Sequence, residues 1–75
     1  MMEKAKVLLA QALDCHSDDI LDTSALGLHP KWDSMAHLRL LLTLEEEYNV
    51  TITDESIEQL STVIGIHAAI SNLEG

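Results

Sequence analysis

Apolar side chains recur at three- and four-residue spacing in two stretches of this chain. Ala5, Leu8, Leu9, Ala12 and Leu13 form the first; Met35, Leu38, Leu41, Leu42, Leu44 and Tyr48, with Leu40 among them, form the second. This is the period of an amphipathic helix and predicts one helix over about 2–14 and another over about 34–48. The first keeps Lys4, Gln11 and Asp14 on its polar side. The second is apolar around more than half its circumference and leaves a narrow polar strip of Ala36, Arg39, Thr43, Glu46 and Glu47. One core face does not need that much apolar surface. Met35 and Leu42, seven apart, share a flank with Arg39 and Glu46 and are therefore expected to be partly exposed to a partner.

Asp33 is a good cap for the second helix, because its carboxylate can accept the orphan amide protons of the following turn, and Pro30 prevents the helix from extending backward. Beyond Tyr48, Val50 and Ile52 alternate with threonines, yet no second strand is available to pair with them, so residues 49–53 read as an extended linker. Thr53 or Asp54 can start a brief helix through about Leu60, and Ser61 or Thr62 a last one over Val63, Ile66, Ile70 and Leu73, which Gly65 weakens. Between the first two helices, Cys15 to Trp32 is rich in residues that compete with helix, and Ile20, Leu21, Leu26 and Leu28 are the side chains available to pin so long a loop. The expected architecture is all-α: a small four-helix bundle, with three main helices and one short one, in a single domain spanning residues 1–75.

Composition narrows what such a bundle can do. A chain of 75 residues holds one modest core, which makes a cleft enzyme the harder reading. Its 13 acidic and 4 basic side chains give a net charge of −9. That balance repels phosphate backbones and anionic lipid surfaces and favours proteins with basic patches. Neither nucleic acid nor membrane insertion is expected. Most of the excess acid follows Trp32, where eight acids face a single base, Arg39. Cys15 is the sole cysteine, so no internal disulfide forms, and a reducing, cytoplasmic setting fits. No signal peptide pattern opens the chain. Beginning with Met and ending soon after the last helix, the protein is expected to be free-standing and monomeric.

Ser34 follows the predicted cap, where free backbone amides and the positive end of the helix dipole favour a phosphate group. Asp33 beside it can help to hold a divalent cation during phosphoryl transfer. Asp33 and Ser34 read equally as ordinary helix-start residues. The surrounding string separates these readings: Ile20 to Leu26 (ILDTSAL), Asp33-Ser34-Met35, Leu44-Glu45-Glu46-Glu47-Tyr48, then Val50, Ile52 and Asp54, and Ser61-Thr62-Val63. In order and over nearly the whole chain, it resembles the acyl carrier proteins.

The resemblance implies that Ser34 bears a 4′-phosphopantetheine arm, installed from coenzyme A by a Mg²⁺-dependent phosphopantetheinyl transferase with Asp33 assisting. The arm would carry acyl groups as thioesters, in fatty acid-like or specialised lipid or secondary metabolite biosynthesis, and the protein itself would catalyse nothing. Met35, Arg39, Leu42, Glu45, Glu46 and Glu47 would form the face that meets acyl-loading and acyl-processing enzymes through their basic patches. Without the resemblance, Glu45 to Glu47 read as a solvated helix face. Lys31 stands where the family usually has glycine, Met35 where it has leucine, and Ala36 and Arg39 where fatty acid synthase carriers are usually acidic. These departures suggest a carrier dedicated to one pathway. The alternatives are a peptidyl or aminoacyl carrier and a small acidic interaction module with no arm.

Several side chains remain open to more than one reading. His37, three residues after Ser34, reads as an ordinary surface histidine, as a contact for the phosphate of the arm, or as the base of a Ser-His pair, for which no orienting acid or oxyanion donor is evident. Trp32 either packs the loop onto the bundle or lies exposed beside the arm. Cys15 reads as a half-buried residue at a helix end or as a site of adventitious dimerisation. The four histidines are too scattered for a zinc site. The leucine-rich second helix and the scarcity of aromatics also suggest that the interior opens between helices to shelter an acyl chain.

Overall fold

The computed structural model describes residues 2–74. Its described residues contain four α-helices: α1 (Glu3–Leu13), α2 (Ser34–Tyr48), α3 (Asp54–Gln59) and α4 (Val63–Glu74). A single 3₁₀ turn, Ser17–Asp19, interrupts the first loop. α1 packs against both α2 and α4. Leu9, Leu40, Leu44, Val63 and Ile66 meet in the fully buried centre, as their helical spacing requires.

The helix ends follow from local chemistry. Asp33 adopts an extended backbone and accepts the Ala36 amide at 2.9 Å, which starts α2 at Ser34. Thr53 caps α3 by accepting the Ser56 amide, and Thr62 accepts the Gly65 amide at 3.0 Å at the start of α4. α1 and α2 stop at Asp14 and Asn49, both in the left-handed region (φ 55° and 53°), which short polar side chains tolerate. At one end of the bundle, Lys4 bonds both carboxylate oxygens of Glu74 at 2.9 Å and the Tyr48 hydroxyl donates to the same carboxylate at 3.1 Å. Three helices are thereby tied together.

The first loop is held differently from the sequence expectation. Ile20 is buried, but Leu21 and Leu28 are exposed and Leu26 is only partly covered. The backbone does the pinning. Leu26 donates to the Ser61 carbonyl at 2.8 Å and Val63 to the Ser24 carbonyl at 3.1 Å, forming an isolated antiparallel bridge between Ala25 and Thr62. Gly27, at φ 88°, turns the chain back so that its amide reaches the Trp32 carbonyl at 3.1 Å.

Gly65 is a requirement of packing rather than a weak point in α4. A Cβ at this position would sit 1.8 Å from the Gln59 carbonyl oxygen, so only glycine allows the end of α3 to lie against the first turn of α4.

Candidate functional site

The start of α2 presents Ser34 exposed, as the first helical residue. Its hydroxyl therefore lies at a terminus where backbone amides lack intrahelical partners and the helix dipole is positive. No acid occupies the first turn of α2 to oppose a phosphate group. Asp33, also exposed, is the adjacent carboxylate, and one of its oxygens already serves the cap.

Behind this terminus lies a buried hydrogen-bonded link. Trp32 is 1% exposed and donates its indole N–H to Nδ1 of His37 at 3.1 Å, while Nε2 of His37 lies 3.1 Å from the Ile57 carbonyl. Indole nitrogen can only donate and a carbonyl can only accept, so the ring carries its proton on Nε2. His37 is thus a buried link between the end of the first loop, α2 and α3. This corrects the reading of a surface histidine. Because both ring nitrogens are committed and the ring is only 5% exposed, it neither pairs with Ser34 nor is available to a phosphate group on that serine. Trp32 is settled by the same observation as a packing residue.

The outward face of α2 is the second component. Met35 and Leu42 are 63% and 51% exposed, in line with their spacing, and Arg39, Glu46 and Glu47 are exposed as well. Glu45 is half-buried. Leu38, which sequence reasoning assigned to the apolar surface of the helix without singling it out, is 52% exposed and fills the gap between Met35 and Leu42. Its spacing of three and four residues from those two was the available signal. Cys15 is half-buried at the end of α1, and burial pushes its thiol pKa up.

A third feature is an open cleft of about 270 Å³ between the end of α2, the linker, α3 and α4. Leu44, Val50, Ile52, Leu60, Ala69 and Leu73 are among its lining residues. No described helix is long and apolar enough to cross a membrane.

No protein-family model matches this chain. Curated relatives do, two of them as follows. An acyl carrier protein of Thermosynechococcus vestitus is 31% identical over 72 residues, covering 96% of this chain and 89% of the relative. An acyl carrier protein of Buchnera aphidicola subsp. Baizongia pistaciae is 36% identical over 64 residues, covering 85% and 82%. The chain belongs to the acyl carrier protein family. In keeping with these relatives, the chain is a carrier rather than an enzyme. The four-helix arrangement anticipated from periodicity is the one observed.

Proposed function

We propose that this acyl carrier protein bears 4′-phosphopantetheine on Ser34 and presents acyl groups, held as thioesters on the thiol of the arm, to the enzymes of a dedicated biosynthetic pathway. The observation that carries this reading is the exposed Ser34 hydroxyl at an N-terminus with no acid in its first turn and a buried Trp32-His37 link behind it. A phosphodiester there meets unpaired amides and favourable dipole charge. Asp33 assists installation: with no other carboxylate in the first turn, a cation bound through it takes its remaining oxygens from coenzyme A and the transferase. Glu45, Glu46 and Glu47 attract basic patches on partner enzymes.

Incubation with coenzyme A and a broad-specificity phosphopantetheinyl transferase tests the reading by intact mass. Wild type is expected to gain one phosphopantetheinyl group and Ser34→Ala none. No gain on wild type, or an equal gain on Ser34→Ala, would sink it. Asp33→Ala is expected to slow the modification and, through loss of the cap, to cost about 1 kcal/mol of stability.

A further inference from the structure

Three of the four basic side chains are engaged within the chain itself. Lys4 pairs with Glu74, Lys6 pairs with Asp22, and Lys31 donates to the Asp14 carbonyl at 3.3 Å. Arg39 is the fourth, and among the described residues it forms no ion pair. It stands exposed on the outward stripe of α2, four residues after Met35 and three before Leu42, with Leu38 as its neighbour in sequence. A guanidinium within a cluster of three exposed apolar side chains is well hydrated only while that cluster is uncovered. Any surface that buries Met35, Leu38 and Leu42 also strips water from Arg39, and a desolvated charge without a partner is costly. A basic group opposite it would add like-charge repulsion.

The acids of this face lie elsewhere. Glu46 follows Arg39 by seven residues on the same stripe, about 10 Å further along the helix axis at the usual rise per residue. Glu45 and Glu47 flank it. The docking face is therefore divided into an apolar sector with one cation near Ser34 and an acidic sector at the far end of α2.

We propose that the enzymes read by this carrier contact α2 with an apolar patch bearing one acidic side chain opposite Arg39, and place their basic groups about 10 Å further from Ser34, opposite Glu46. The inference rests on the carrier reading above and adds to it the charge order of the partner.

The test uses the modified carrier with two probes: a fatty acid synthase acyltransferase whose carrier-binding patch is basic, and the same enzyme with only the basic side chain that faces the Ser34 end of α2 changed to an acidic one, the rest of the patch being kept. Wild type is expected to be acylated about fivefold faster by the acidic form, and Arg39→Glu to invert that preference. At about 0.5 M salt both preferences should collapse, because surface charges are then screened within a few ångströms. Rates that stay within about twofold for wild type and Arg39→Glu on both enzymes would overturn the proposal. Intact mass measured beforehand separates the two levels: failure to modify Ser34 defeats the carrier reading itself, whereas full modification with charge-blind rates defeats only the docking inference. Because Arg39 forms no ion pair among the described residues, Arg39→Glu is expected to keep the wild-type circular dichroism spectrum.

Discussion

Replacing His37 with alanine removes the acceptor of the Trp32 indole N–H and the donor to the Ile57 carbonyl in one step. The indole nitrogen belongs to a side chain that is almost wholly buried, and an orphaned buried donor costs about 1–3 kcal/mol. The Ile57 carbonyl is partly buried and adds about 1 kcal/mol. Alanine returns about 0.5 kcal/mol through its better helix propensity. The net expectation is a loss of about 1.5–3.5 kcal/mol, to be set against a total of about 4–11 kcal/mol for a chain of this length. Urea titration measures it, followed by circular dichroism and by the fluorescence of Trp32, the only tryptophan. A cycle with Trp32→Phe isolates the pair, since the residues touch and should couple by about 1 kcal/mol. His37→Ala within about 0.5 kcal/mol of wild type, the range of ordinary surface substitutions, would refute the buried-link account. So would strict additivity in the cycle.

Gly65→Ala should destabilise the protein although alanine is the better helix former, because the new Cβ would collide with the backbone oxygen of Gln59. A lower urea midpoint with an unchanged slope is the expected result, at a cost of about 1–3 kcal/mol, and a raised midpoint would contradict the packing. Glu74 supplies a pH test. Hydrogen bonding from Lys4, with a smaller contribution from Tyr48, holds its carboxyl below the ordinary carboxylate range. A depressed folded value means that the contribution is complete above about pH 4.3, the unfolded value, and is lost as pH falls through the folded one. Glu74→Gln should therefore flatten the acid limb of the stability profile at low salt and leave it little changed at high salt, where this exposed pair is screened.

α2 was legible to the residue because three independent signals agree at its start: Pro30 upstream, Asp33 as cap, and the apolar period that follows. The carrier resemblance was legible as an ordered string, and the relatives named acyl carrier protein support it. The first loop was not. Its anchors are backbone hydrogen bonds, from the Val63 amide to the Ser24 carbonyl and from the Leu26 amide to the Ser61 carbonyl, and backbone groups leave no trace in residue type. Leu21 and Leu28 resembled pins only because they are apolar. His37 misled for a different reason. It lies three and four residues before Leu40 and Leu41 and seven before Leu44, on the buried stripe, and a polar residue there needs a partner. The partner was Trp32, on the far side of a helix start, beyond the reach of periodicity. Gly65 looked like a flaw in α4 because helix propensity takes no account of a carbonyl approaching from another helix.

The bridge between Ala25 and Thr62 also imposes an order in time. Synthesis runs from the N-terminus, so the nascent chain contains Ser34 before the residues that close the loop leading to it have been made. Until Ser61 and Val63 emerge, Leu26 and Ser24 lack their hydrogen-bond partners, and the segment that delivers the serine to its helix start is anchored at one end only. A ribosome-bound intermediate ending before α4 should therefore be a poor substrate for any enzyme that reads the folded start of α2. Competence for modification would then arrive only with the synthesis of α4, so the bridge would couple the start of α2 to residues made well after it.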